Sequence, residues 1–236
     1  MPGPDVRTLL RNVAIFAHLD DAALAGLARF VEMREFAADA VIVGQDDPGE
    51  ALYVLVRGRV KVVLYGESGR EIILSLFRAP GDFFGEMSLL DDQPRSATVI
   101  ALERSTLLIL SRADFRTHLK AHPRTALEVL GELSRRLRRA DEVIGNLALL
   151  DVYGRVARWL RELAESDGEE SAEGVVIRQR PTHQEIAGLI GTSRETVSRA
   201  LSELARRGHI DVSGKRILLR RSFLLAGDDR GLGGRA

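Results

Sequence analysis

The segment Pro181 to Leu201 constrains this chain more than any other, because it reads as two short helices joined by a tight turn. Pro181 and Thr182 form a helix start. Glu185 stands three residues after Thr182 as a capping-box partner, and Ile186, Leu189 and Ile190 make a short apolar face. Gly191 then stops the first helix, and Ser193 caps a second in which Val197, Ala200, Leu201 and Leu204 recur at helical spacing. Packing that face inward leaves Arg194, Glu195, Ser198 and Arg199 mainly on the other side. An arginine fork there can pair with guanine O6 and N7, and a glutamate can accept from cytosine N4, so the spacing points to a helix-turn-helix that reads double-stranded DNA.

Charge is distributed to suit that reading. The chain is formally neutral, but Val175 to Ala226 holds ten Lys or Arg against four Asp or Glu, so it carries 10 − 4 = +6 and the remainder −6. Phosphate attraction needs a local positive surface rather than a positive chain. At 236 residues there is room for more than one domain, and the absence of cysteine excludes disulfides, thiol chemistry and cysteine-ligated zinc or iron-sulfur sites. With no long apolar run, a cytoplasmic protein without a membrane segment is expected.

Upstream the period changes. One or two short helices over residues 9–30 are followed by strand-like runs at 40–43, 51–56, 60–64, 71–77, 96–101 and 106–110, separated by Gly-, Pro- and Asp-rich turns. Many short strands with regular turns predict a small barrel or jelly roll. This region contains no histidine, so a metal-dependent enzyme of the cupin type is excluded; His18, His118, His122 and His209 show no metal-ligand spacing and read as surface or packing residues. A long helix starts at Pro123. Leu130, Leu137 and Ile144 fall at one heptad position, and Leu133, Ala140 and Leu147 at the other, a seam that predicts a homodimer. Asp151 caps a further helix from Val152 to Leu163, an acidic run from Glu165 to Gly174 reads as a flexible linker, and Gly214-Lys215 turns a hairpin wing whose Lys215 and Arg216 can touch phosphate.

One turn is suited to an anion. Gly85-Glu86 is followed by Arg95-Ser96, so a carboxylate and a guanidinium are held near each other in an apolar setting. Two readings stand at this point: an ion pair between Glu86 and Arg95, or a ligand site in which Arg95, the Ser96 hydroxyl and backbone N–H groups grip a phosphate while Glu86 takes a sugar hydroxyl.

The chain resembles the cyclic-AMP receptor (catabolite activator) family, within the Crp/Fnr superfamily of bacterial regulators, from about residue 12 to residue 225. The strings that carry the resemblance are Leu52 to Gly58, Gly81-Asp82-Phe83-Phe84-Gly85-Glu86, Arg95-Ser96-Ala97, Gly145 to Val152, and Thr192 to Arg199. The resemblance implies an α+β architecture. It assigns 1–122 to a cyclic-nucleotide-binding β roll, 123–150 to a dimerisation helix and hinge, 151–226 to a winged helix-turn-helix and 227–236 to a disordered tail. Gly85 and Glu86 then match the ribose-side residues of the family, and Arg95 and Ser96 the cyclic-phosphate residues. Ala140 and Asp141 stand where the cyclic-AMP receptor has hydroxyl residues toward adenine. Asp141 either accepts from a base, which admits cyclic GMP beside cyclic AMP as the allosteric ligand, or is a solvated flank of the seam. The alternative to a cyclic nucleotide is a relative that keeps the roll and the DNA-binding role but responds to another ligand or to none. Arg194, Glu195 and Arg199 match residues reading a TGTGA-like half-site, with Thr182, His183, Ser193 and Ser198 alongside; His183 replaces an arginine near phosphate. An activator of this family would also contact RNA polymerase.

Overall fold

The computed structural model describes residues 5–67 and 69–225. It divides into two compact units, residues 1–136 and 137–236, with the boundary inside one long helix. The expected tail at 227–236 lies outside the described residues.

The first unit runs α1 (Val6–Arg11), a 3-10 turn (Ala14–Phe16), α2 (Asp21–Ala28), β1 (Val31–Phe36), β2 (Val41–Val43), β3 (Ala51–Arg57), β4 (Val60–Tyr65), β5 (Glu71–Phe77), β6 (Phe83–Phe84), α3 (Glu86–Asp91), β7 (Thr98–Ala101), β8 (Ser105–Ser111), α4 (Arg112–Ala121) and the first half of α5 (Pro123–Leu149). Its strands form two antiparallel four-stranded sheets, in the orders β1-β8-β3-β6 and β2-β7-β4-β5. The apolar runs of β3 and β8 follow from burial on both faces of one sheet. Leu55 and Leu107 meet Val43, Val60, Phe84 and Val99 between the sheets, while Leu52, Val54, Leu108 and Leu110 meet Phe16, Leu24, Phe115 and Val129 of the helices. Strand β1 had no apolar alternation to announce it. It is a mostly exposed edge strand, paired with β8 from Val31↔Leu110 to Phe36↔Ser105.

The second unit continues along α5 into α6 (Val152–Asp167), β9 (Glu169–Ser171), β10 (Gly174–Ile177), α7 (His183–Ile190), α8 (Arg194–Arg206), β11 (Ile210–Ser213), β12 (Arg216–Arg220) and α9 (Arg221–Leu225). Val156, Leu160, Ile186, Val197, Leu201, Leu204, Ile217 and Leu219 gather in one core, so α6, α7 and α8 pack on the sheet β11-β12-β10-β9. The acidic run Glu165 to Gly174, expected to be a flexible linker, is instead the end of α6 and a strand pairing with β10 from Gly174↔Ser171 to Val176↔Glu169. Backbone pairing supplied by β10 overrides a composition that carries no strand signal.

Along α5 the seam positions Leu130, Leu137, Ile144 and Leu147 are exposed, whereas Leu133 packs partly on the core of the first unit. Contiguous large apolar side chains on one helix face are what a partner surface requires.

Candidate ligand pocket and nucleic-acid interface

The candidate pocket is built at the junction of β6 and α3. Gly85 caps α3 with φ 88°, and a Cβ there would lie 2.5 Å from Arg95 Nη1 and 3.0 Å from the Ala51 carbonyl oxygen. Only glycine meets both demands. Arg95 is buried, and it donates from Nη1 to the Gly85 carbonyl and from Nη2 to the Ala51 carbonyl, each at 2.7 Å, with its guanidinium 5.7 Å from the centre of the Tyr53 ring. Its Nε has no partner, and burial pulls its pKa down. A guanidinium held only by carbonyls and a ring carries a charge that no contacting anion neutralises.

Glu86 does not form the ion pair with Arg95 that was one of the two readings. Its Oε1 accepts from Arg136 Nη1 at 2.9 Å, and its Oε2 is buried with no partner. Burial pushes the Glu86 carboxyl up, and the nearby Arg136 pulls the other way. Arg136 also donates from Nη2 to the Phe83 carbonyl at 2.7 Å and from Nε to Glu132 at 3.0 Å, and it lies over the rings of Phe77 and Phe83. Sequence reasoning missed Arg136. It lies among Arg135, Arg138 and Arg139, and nothing local singles it out. Ser96, next to Arg95, is exposed; Ala140 and Asp141 lie further along α5 in the second unit and are also exposed. The junction of β6 and α3 therefore brings together Gly85, Glu86, Arg95 and Arg136.

Three of the histidines are packing residues, one of the two roles expected of them. His118 Nε2 is 3.1 Å from Thr125 Oγ1, which is 3.3 Å from His18 Nε2, and the His118 and His122 rings stack at 4.6 Å. His18, His118 and His122 thus lie together in one cluster with Thr125. Burial, then His122 and His18, lower the His118 pKa to about 4.

In the second unit the helix-turn-helix is held by local chemistry. Thr182 Oγ1 accepts from Glu185 N at 3.2 Å and Glu185 Oε2 from Thr182 N at 2.7 Å; Gly191 ends α7 at φ 68°, and Ser193 Oγ accepts from Thr196 N at 3.2 Å. Val197, Ala200, Leu201 and Leu204 turn inward, leaving Arg194, Glu195 and Arg199 exposed and Ser198 half-buried. His183 is half-buried at the start of α7, its pKa lowered by burial and by the charges of Arg180 and Arg194. Lys215 and Arg216 are exposed at the β11-β12 turn, where Gly214 has φ 58°.

Ion pairing sorts the basic residues. Arg206 and Arg207 pair with Glu203, Arg178 with Glu169, and Arg220 with Glu173 and Asp211. Among the described residues Arg194, Arg199, Lys215 and Arg216 have no carboxylate partner. Arg155, Arg180 and Arg221 also lack one, but Arg155 and Arg180 are part-buried on backbone carbonyls, whereas the exposed cations at the start of α8 and on the wing stand where phosphates and base edges can take them.

Comparison with known proteins agrees with this anatomy. A cyclic nucleotide-binding domain model matches residues 33–122 and a Crp-like helix-turn-helix domain model matches 154–226. The CRP-like cAMP-activated global transcriptional regulator of Mycobacterium tuberculosis is 33% identical over 218 residues, which cover 92% of this chain and 97% of that one. The chain belongs to the Crp/Fnr superfamily. Within the superfamily, the structure of the c-di-GMP-responsive global regulator CLP of Xanthomonas campestris is 25% identical with a TM-score of 0.74, over 85% of this chain and 99% of that one. The catabolite activator protein of Thermus thermophilus is 34% identical with a TM-score of 0.53, over 89% and 95%. This Crp/Fnr member has the β-roll and helix-turn-helix architecture of the group and is a DNA-binding transcription regulator, not an enzyme. No helix among the described residues is long and apolar enough to cross a membrane.

Proposed function

We propose that this regulator is a homodimer switched by a cyclic nucleotide, with cyclic AMP as the first candidate, and that it binds TGTGA-like palindromes. One observation carries the ligand reading. Arg95 and Glu86 are both buried, and each keeps an unpartnered polar atom, Nε of Arg95 and Oε2 of Glu86. A cyclic phosphate supplies the anion that Arg95 lacks, and a ribose hydroxyl supplies the donor that Glu86 Oε2 lacks. Gly85 leaves the Arg95 fork in place, and the Ser96 hydroxyl gives a further donor to phosphate. Ala140 and Asp141 are assigned to the base end.

Binding shifts an equilibrium between two arrangements of the hinge at 146–151, where α5 ends and Asp151 caps α6 by accepting from Gly154 N. One arrangement sets the two recognition helices of the dimer at the spacing of successive major grooves. There Arg194, Glu195 and Arg199 read bases, while Thr182, His183, Ser193, Ser198, Lys215 and Arg216 line the backbone contacts. Where the regulator activates, RNA polymerase is its further partner.

Asp141 supports a second reading of the base. A carboxylate accepts from both N1–H and N2–H₂ of guanine, whereas adenine offers it one amino group, so cyclic GMP is the alternative. Calorimetric titration with cyclic AMP and cyclic GMP in parallel tests both. Binding of one nucleotide, lost in Arg95→Ala, is the expected result; heat from neither removes the nucleotide while leaving the DNA-binding role standing.

A further inference from the structure

The pocket residue Arg136 has a place in the heptad of α5 that its contacts within one chain do not use. With Leu130, Leu137 and Ile144 at a, and Leu133, Ala140 and Leu147 at d, Arg136 falls at g and Asp141 at e of the following heptad. In a parallel two-stranded coiled coil, g of one helix lies against that e position of the other. The seam holds three such combinations, Val129 with Ser134, Arg136 with Asp141, and Val143 with Ala148. Only Arg136 with Asp141 is oppositely charged. A shift of one heptad sets Arg136 against Ser134 or Ala148, and an antiparallel pair sets g against g and e against e; neither offers the arginine a carboxylate at these positions. Asp141 is exposed and has no ion-pair partner among the described residues, and the apolar face beside it is open at Leu137, 63% exposed, and Ile144, 62% exposed.

We infer that, while no nucleotide is bound, Asp141 of a second copy pairs with Arg136, so that each Glu86-Arg136 clamp is completed across the dimer and the two α5 helices are fixed parallel and in register. This rests on the homodimer reading above. Arg136 has donors to spare: Nη1 and Nη2 each carry two N–H groups, of which Glu86 and the Phe83 carbonyl take one apiece. The guanidinium keeps its own chain's Glu86 and Glu132 and gains a third carboxylate from the second copy. Twofold symmetry makes the pair twice in every dimer. The charge that Asp141 carries is then felt by the arginine of the opposite pocket, which makes Asp141 a positioning residue for Arg136 and, through it, for the Glu86 carboxylate.

The chain has no cysteine, which makes the full-length protein a clean background for crosslinking. An Arg136→Cys/Asp141→Cys double variant is expected to form a covalent dimer with a short bifunctional thiol crosslinker, which spans the g-to-e separation between helices that a direct disulfide does not. Leu137→Cys, at a, reports a parallel in-register dimer without touching either charge. Sedimentation of Asp141→Lys and Asp141→Glu adds a measurement with no cysteine. The lysine is expected to weaken dimerisation by roughly 3- to 30-fold and to reverse the pair's contribution to its salt dependence, because salt then screens a repulsion, and the glutamate to preserve both affinity and salt dependence. A dimer that crosslinks at Leu137→Cys but not in the double variant, or that is indifferent to Asp141→Lys, overturns the pair and leaves the dimer standing. A monomeric native protein overturns both.

Discussion

Arg136 Nη1 donates to the buried Glu86 Oε1 at 2.9 Å across 50 residues of sequence, joining the first turn of α3 to the middle of α5. The same guanidinium holds the Phe83 carbonyl and Glu132, so one side chain links the α3 turn to α5. Truncating Arg136 leaves Glu86 buried and unpaired, whereas truncating Glu86 leaves Arg136 its Glu132 partner. Arg136→Ala is expected to lower stability by about 3 kcal/mol and Glu86→Ala by less, with the double variant below their sum, as a double-mutant cycle in urea would show.

Gly85→Ala should damage the pocket through the backbone. The new methyl meets Arg95 Nη1 at 2.5 Å and the residue must keep φ 88°, so a loss of at least about 1 kcal/mol is expected together with displacement of the Arg95 fork. Thermal denaturation gives the first quantity. Nucleotide titration at a temperature where the variant is folded gives the second.

Acid should loosen the first unit through His118. The unfolded chain takes up a proton at this residue below about 6.5, the folded chain only below about 4. The unfolded state therefore binds more protons between these values, and stability is full above pH 6.5 and falls as pH drops toward 4. The loss is on the order of 3 kcal/mol at most. Urea midpoints measured from pH 7 to pH 4 should show this slope in the native protein and a shallower one in His118→Gln.

On DNA, Arg194→Ala and Lys215→Ala should separate. Losing a base-reading arginine is expected to cost about 1–3 kcal/mol and to relax selectivity at one position of the half-site. Losing the wing lysine should weaken all sequences alike and reduce the salt slope by about 1. Binding curves for a palindrome and a mismatched duplex at several salt concentrations distinguish the two.

What could be read from the sequence was what local spacing determines. The Thr182–Glu185 capping box, the Gly191 stop and the inward face at Val197, Ala200, Leu201 and Leu204 lie within a few residues of one another, and all are present. Strands β3, β4, β5 and β8 announced themselves by apolar runs between turns. Strands β1 and β9 did not, because a polar edge strand takes its conformation from its neighbour rather than from its own pattern. Pairings at long range were equally hidden. Arg136 reaches Glu86 from 50 residues away, and Thr125 reaches His18 from 107, so only the folded chain shows which arginine and which histidines matter.

The claim that a cyclic nucleotide held by Arg95 and Glu86 controls DNA binding is tested most directly by fluorescence anisotropy of a labelled TGTGA palindrome. The native protein and Arg95→Ala are each titrated without nucleotide, with cyclic AMP and with cyclic GMP. The expected result is that one nucleotide tightens binding at least tenfold in the native protein and leaves Arg95→Ala unchanged. Equal affinity of the native protein with and without either nucleotide, or an undiminished response in Arg95→Ala, would contradict it.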